Sequence, residues 1–406
     1  MTRSLILLAC LAALVTNQAQ AADLPVFRIG VLNDQSGLYA DIAGPGSVEA
    51  TRMAVEDFKP ESRGFRVDIL AGDHLNKPDV GVGIVRRWFD TEGVDVIADV
   101  PTSSVALAVS SIARERNKVL LIDSAGSSDL TGTACSPNTV HWTYDTWALA
   151  NSSARAMLRQ GGKTWFFITA DYAFGQSLER DATQIITAQG GQVVGHAMAP
   201  FQTTDFSSYL LQTQASGAAV VALANSGGDT INAIKQAGEF GISNSGQKLV
   251  ALLAFISDIH SVGLQTSQGL LLTSAFYWDK DDGTRTFSKR FAAKSSGRMP
   301  TMNQAGAYAS ALHWMKAVAS LDPASPSARD GAAVVAAMKA IPTDDALFGR
   351  GSVRADGRVL HDLYLYQVKT PGESKGPYDF YKLVDTIPGD QAFRPLAQGG
   401  CPLVAH

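Results

Sequence analysis

Two short runs carry hydroxyls and small residues at positions where an anion could be held: Thr102-Ser103-Ser104 and Ala125-Gly126-Ser127. The first follows an apolar run, Val94 to Val100, and opens a helical segment, so free amide N–H groups, a positive dipole end and hydroxyls share one direction. The second repeats the device one strand later, with small residues that let backbone approach a ligand closely. Together they could hold one carboxylate, although each alone is also an ordinary helix cap. Aromatic side chains stand at other strand ends: Tyr39, Tyr172, Phe174, and the run Phe276-Tyr277-Trp278. They suit an apolar wall around the rest of a ligand, or packing between domains. Asp171 and Asp258 are the acids near strand ends further along, each able to receive an ammonium group or to cap a helix.

The chemistry that is missing narrows the function. The seven histidines show no metal-ligand spacing, and there is no Cys-x-x-Cys and no Gly-x-Ser-x-Gly elbow. Gly44-Pro45-Gly46 and Gly227-Gly228 lack the Lys-Ser/Thr pair of a phosphate loop. No metal, cofactor or catalytic residue is expected. A net charge of −4 with no basic cluster argues against nucleic acid.

The elements that must position these residues alternate. From Phe27 the chain repeats a short apolar strand, a polar loop and a helix of about three to four turns, the pattern of parallel sheets covered on both faces. Strands are expected at Phe27–Leu32, Val67–Leu70, Val94–Val100 and Lys118–Asp123, then in a second series at Lys163–Ala170, Gln192–Ala199, Ala219–Asn225 and Lys248–Ile256. Two doubly wound α/β lobes in tandem follow. Later helices, near 286–294, 303–321 and 330–340, belong back on the first lobe. That arrangement requires three crossings, near Trp142–Thr146, Thr273–Phe276 and Phe348–Val353. The first lobe is then 22–143 with 275–350, and the second 144–274 with 351–390.

Arg3, the apolar run Leu5 to Val15 and Ala19-Gln20-Ala21 read as a secretory signal peptide over residues 1–21, with Cys10 placed too early for a lipid-attachment box. Cleavage leaves Cys135 and Cys401 in a compartment where disulfides persist. They are expected to pair, tying the tail 391–406 to the first lobe.

Ile29-Gly30-Val31-Leu32 with Ser36-Gly37, the helix opening Gly44-Pro45-Gly46-Ser47-Val48-Glu49-Ala50, the turn from Val94 to Ser104 and Asp171-Tyr172-Ala173-Phe174-Gly175 resemble the branched-chain amino-acid binding proteins of ABC importers. The resemblance spans essentially the whole mature chain. It implies a type I periplasmic-binding fold with three hinge strands, a periplasmic location, a small-molecule carboxylate ligand, an inner-membrane permease partner and action as a monomer. It places the ligand carboxylate at Thr102, Ala125, Gly126 and Ser127, to which the loop position adds Ser103, a first-lobe wall from Tyr39 to Ile42, and second-lobe contacts at Phe174 and Asn225-Ser226-Gly227. Where amino-acid-binding members offer an acid to the ammonium, this chain has Phe255-Ile256-Ser257-Asp258. The stretches Cys135–Thr139 and His141–Asp145 are similar to a subgroup that takes up aromatic acids. An aromatic or hydrophobic carboxylate is therefore expected ahead of leucine, isoleucine or valine. A ligand-sensing receptor module is a further role the same fold serves.

Overall fold

The computed structural model describes residues 24–404. The expected signal peptide, with Cys10, lies outside the described residues. The first lobe opens with β1 (Val26–Asn33), α1 (Gly44–Phe58), β2 (Arg66–Asp73), α2 (Pro78–Asp90), β3 (Val96–Asp99), α3 (Ser103–Glu115), β4 (Val119–Ile122) and β5 (Thr139–His141). Its five strands are parallel in the order β2-β1-β3-β4-β5. β3 and β4 are buried along their whole length, which is why they read as unbroken apolar runs.

The second lobe follows with α4 (Thr146–Arg159), β6 (Thr164–Ala170), α5 (Ala173–Ala188), β7 (Gln192–Ala199), α6 (Ser207–Ser216), β8 (Val220–Ala224), α7 (Gly228–Glu239), β9 (Lys248–Ala251), α8 (Ile256–Val262) and α9 (Leu264–Ser267). Its parallel order β7-β6-β8-β9 repeats the first lobe's. In each lobe the winding reverses beside the first strand, between β1 and β3 and between β6 and β8. Crevices outside the carboxyl ends of strands at such reversals are where open α/β sheets bind ligands.

The chain then recrosses. β10 (Leu271–Ser274) joins the second lobe, whereas α10 (Asp282–Lys294), α11 (Met302–Ser320) and α12 (Gly331–Ala340) cover the first, α11 lying along α1 and α12 beside β4. Capping boxes set the starts of α10 and α11, Asp281 with Thr284 and Thr301 with Gln304, and the Asp330 side chain caps α12. A small antiparallel sheet, β11 (Thr343–Asp345), β12 (Gly349–Val353) and β13 (Val359–Leu360), precedes β14 (Leu363–Val368) and β15 (Tyr381–Ile387), which pair antiparallel beside β10. Arg358 bridges to His141 at the end of β5. The chain therefore stays with the first lobe past Phe348–Val353 and crosses at about residues 361–362. Strand β9 is also shorter than the expected Lys248–Ile256. It stops at Ala251, because Asp258 accepts the Phe255 N–H (2.9 Å) and starts α8 there. Cys135 and Cys401 are bonded, with Cα atoms 5.6 Å apart across 266 residues of sequence. Among the described residues no helix is long and apolar enough to cross a membrane.

Candidate functional site

Loops from the carboxyl ends of β1, β3, β4 and β5 on one lobe and of β6, β8 and β9 on the other meet between the lobes. The loop after β1 is shaped by Asp34, a buried carboxylate that accepts the Gly37 N–H (2.7 Å), the Tyr39 N–H (2.8 Å) and the Asn76 amide (2.6 Å). These bonds fix Tyr39 and Ile42, both buried, on the first-lobe wall. Thr301 at the start of α11 donates its hydroxyl to the Ile42 carbonyl (2.7 Å), holding the wall from behind.

The loop after β3 turns through two left-handed residues, Asp99 (φ 82°) and Val100 (φ 53°). Non-glycine residues in such conformations cost roughly 1–3 kcal/mol each and persist where surrounding structure holds them. Asp99 is held by Asn33 (2.7 Å) and by the Ser124 hydroxyl. The turn brings Pro101 to the cleft, with Thr102 buried behind it.

The donors of the expected anion cradle are partly engaged within the lobe. Thr102 occupies the N-cap position of α3, but its hydroxyl donates to the Asn76 side chain instead of accepting from the helix. The Ser127 N–H donates to Ser103 Oγ (3.1 Å), and the Ser127 hydroxyl accepts the Asp129 N–H (3.4 Å) while meeting Ser177 Oγ (3.3 Å). The Ala125 carbonyl accepts from His141 Nε2 (2.7 Å), and the Gly126 carbonyl from the Thr146 N–H (2.7 Å). These bonds make the first-lobe loops rigid. The first-turn N–H groups of α3 are the donors that a helix leaves without intrahelical partners.

The second-lobe loops are aromatic and close. Tyr172 precedes α5, and its hydroxyl bonds to that of Tyr39 across the cleft. Phe201 packs on both rings, 4.9 Å from Tyr172 and 5.6 Å from Tyr39 between centroids. The Phe174 ring lies over Gly126, where a Cβ would come within 2.7 Å of Phe174 and 3.0 Å of Tyr144. Gly227 (φ 59°) faces the Leu38 carbonyl and the Tyr39 ring, each 2.9 Å from where its Cβ would be. Asn225 accepts the Thr230 hydroxyl (2.7 Å), and Ser226 lines the cleft.

Tyr39, Ile42, Tyr144, Tyr172, Phe174 and Leu253 enclose the space between the lobes, with Pro101, Ser124 and Ser226 completing it. The space measures about 10 Å³. Sites for small organic ligands span about 300–1,000 Å³, so a ligand enters only as Tyr39 and Tyr172 part. Larger concavities, up to about 800 Å³, lie along α7 and α9 on the outside of the second lobe, away from the strand ends.

Of the expected contacts, Tyr39, Ile42, Tyr172, Phe174 and Ser226 are in this lining; Thr102, Ser103, Ala125, Gly126, Ser127, Asn225 and Gly227 lie in the same loops outside it, and Asp171, Asp258 and Phe276 are engaged elsewhere. Asp171 is exposed and accepts from Gln176 (3.1 Å). Asp258 is buried as the cap of α8, and burial pushes its carboxyl up to about 7. Phe276 packs edge-on against Phe287, 6.2 Å away, while the Tyr277 hydroxyl and the Trp278 indole N–H both donate to the Tyr378 carbonyl. That run is core and not cleft wall. Conversely, Asp34, Asn76, Ser124, Tyr144 and Leu253 serve the cleft without having been singled out for it. Tyr144 stood in a stretch read as a hinge and as similar to the aromatic-acid subgroup, without a contact being assigned to it. Asp229, on the first turn of α7, accepts the Gln202 N–H (3.2 Å) with Oδ2 and leaves Oδ1 without a partner. Burial pushes it up to about 7, and its charge reaches Tyr39 and Tyr172.

A model of the periplasmic binding protein family matches residues 26–377. A periplasmic binding protein from Burkholderia mallei is 45% identical, with a TM-score of 0.90, covering 93% of this chain and 99% of that one. A branched chain amino acid ABC transporter periplasmic ligand-binding protein from Burkholderia xenovorans LB400 is 40% identical, with a TM-score of 0.81 and the same coverage. The Leu/Ile/Val-binding protein homolog 6 of Brucella melitensis is 27% identical over 359 residues, 86% of this chain and 89% of that protein. The two-lobed fold expected from the sequence is the fold of these structures.

Proposed function

The chain belongs to the periplasmic binding protein family, and from that premise we propose that it is the extracytoplasmic solute-binding component of an ABC importer. It captures a small aromatic or hydrophobic carboxylate by closing its lobes, and hands the ligand as a monomer to an inner-membrane permease. The observation that carries this reading is the cleft itself: Tyr172, Phe174 and Gly227 of one lobe touch Tyr39, Gly126 and Leu38 of the other. A ligand gripping both faces stabilises the arrangement in which they meet, which is how a binding protein signals occupancy.

The ligand class follows from the lining. Its walls are aromatic and aliphatic, and no charged side chain is among them. A carboxylate is held by dipoles: the first-turn N–H groups of α3, the hydroxyls of Thr102, Ser103 and Ser127, and the backbone of Ala125 and Gly126. Phe174 and Tyr172 clamp the ring or alkyl group from the opposite side, with Asn225-Ser226-Gly227 closing the end.

Uptake of leucine, isoleucine or valine is the second reading, supported by the names of the B. xenovorans and B. melitensis relatives. It needs an acid for the ammonium, because leaving that charge buried and unpaired costs several kcal/mol. Asp258 is engaged as a cap and Asp171 faces solvent, which leaves the unpartnered oxygen of Asp229 as its foothold.

Thermal unfolding of the mature protein with benzoates, phenylpropenoates, leucine and valine tests both. A true ligand at 100 times its dissociation constant adds about 2.7 kcal/mol. Stabilisation by aromatic acids is expected; stabilisation by leucine or valine alone overturns the ligand class and moves Asp229 into the site.

A further inference from the structure

Behind the first-lobe anion loops lie two carboxylates that the binding mechanism does not use. Asp99 ends β3 and Asp123 follows β4; they are 0% and 1% exposed. The Asp99 backbone N–H donates to Asp123 Oδ2 (3.2 Å), which sets the Asp123 carboxylate against the Asp99 main chain on the neighbouring strand. Asp99 accepts from Asn33 and Ser124, and the Ser47 hydroxyl of α1 faces it. Asp123 Oδ1 has no partner, although it is wholly buried. From α11 the Ser310 hydroxyl faces Asp123, and from the hinge come the Tyr144 ring and, beyond it, the guanidinium of Arg358. That cation is engaged elsewhere, donating to the Tyr144 carbonyl (2.9 Å) and lying 3.7 Å from Asp145. Two adjacent carboxylates in such surroundings do not both ionise near neutrality. Burial pushes Asp99 up to about 6, and burial together with Asp99 pushes Asp123 well above the usual carboxylate range.

The pair is joined directly to the cleft. Ser124 lines it while donating its hydroxyl to Asp99, Tyr144 lines it while donating its hydroxyl to the Ser124 carbonyl (2.5 Å), and Pro101 stands two residues beyond Asp99. A carboxylate lodged against Thr102 and the Ala125–Ser127 backbone would bring a third negative charge to the same corner, with little water between to screen it.

We propose that the buried corner formed by Asp99 and Asp123 holds one proton in the free protein, and that capture of a carboxylate ligand draws a further proton from solvent into it. The ligand is then taken up as an anion plus a proton, and an uncharged analogue is taken up alone. This rests on the carboxylate reading of the cleft given above. The sign follows: the pair is more protonated in the complex than in the free protein, so affinity falls as pH rises through the range where free Asp99 gives up its proton.

Calorimetry with benzoate, which does not titrate near neutrality, and with L-leucine, each in buffers of differing ionisation enthalpy, reads proton uptake directly. Up to about one proton per carboxylate is expected between pH 6 and 8, with Kd rising by up to about tenfold per pH unit. Asp99→Asn, in which asparagine tolerates the left-handed backbone, should bind with a flat pH profile. Binding without proton uptake, or a slope that survives both Asp99→Asn and Asp123→Asn, overturns the proposal. Infrared spectra of the ligand-free protein at pH 7 supply an arm independent of any ligand. A protonated carboxyl band that vanishes in Asp123→Asn supports the proton held in this corner, and its absence from the parent protein sinks it. If neither probe binds at any pH, the carboxylate reading falls, and the infrared band alone decides whether the pair holds its proton.

Discussion

The two lobes present the same topology to the cleft and opposite chemistry. On the first, Asp34, Asn76, Asp99 and Ser103 tie the loops to one another, and strained residues hold their turns. On the second, Tyr172, Phe174 and Phe201 offer rings with few polar bonds. Identical strand order therefore does not dictate identical roles. In the proposed binding cycle the first lobe would be a preorganised anchor whose dipoles are fixed before a ligand arrives, and the second a clamp whose affinity comes from apolar contact made on closing.

The largest expected effect tests the anchor. Cys401 bonds to Cys135 at the end of the loop that carries Ser127 and Ser128. In the chain-entropy account a loop of that length contributes about 4–5 kcal/mol or somewhat more. Replacing both cysteines by alanine should lower unfolding stability by about that amount in denaturant titration, with ligand affinity changed far less. Comparable losses of affinity and stability would mean that the anchor depends on its strap and not on its internal hydrogen bonds. Gly126→Ala strikes the place where anchor meets clamp. The new methyl would collide with Phe174 and Tyr144, and overpacking of this kind costs about 1–3 kcal/mol. Because the collision lies between lobes, it should appear as a Kd raised about 10- to 100-fold, with a larger radius in solution scattering. Unchanged affinity would show that Phe174 does not close over Gly126.

The alternation of strand, polar loop and helix announced two parallel lobes, because buried strands and amphipathic helices differ in period. The same reasoning failed where burial has another cause. Leu252 to Phe255 extended the expected β9, yet these residues are apolar because they are buried at the lobe junction. Phe276 to Trp278 had the composition of a ring-binding wall and turned out to be core. Within the candidate cleft, the lining residues Tyr39, Tyr172 and Phe174 were legible as strand-end aromatics. Asp34 and Asn76 were not, since their role is a bond between residues 42 positions apart, which no local pattern records. Asp99 was hidden inside a strand, and only the fold brings it to Asp123.

The smallest effect is also the sharpest test of the anchor. Thr102 donates its hydroxyl to Asn76, so a ligand carboxylate must either receive that proton in exchange or use the α3 amides beside it. Thr102→Val keeps the shape of the side chain and removes the hydroxyl. If the exchange occurs, affinity should fall about tenfold, while stability falls by about 1 kcal/mol because Asn76 loses its donor in the free protein as well. A loss of stability with unchanged affinity would assign the carboxylate to the helix amides alone. Thr102 would then be a brace for the Asn76 turn, and the anchor's grip on the ligand would be entirely backbone.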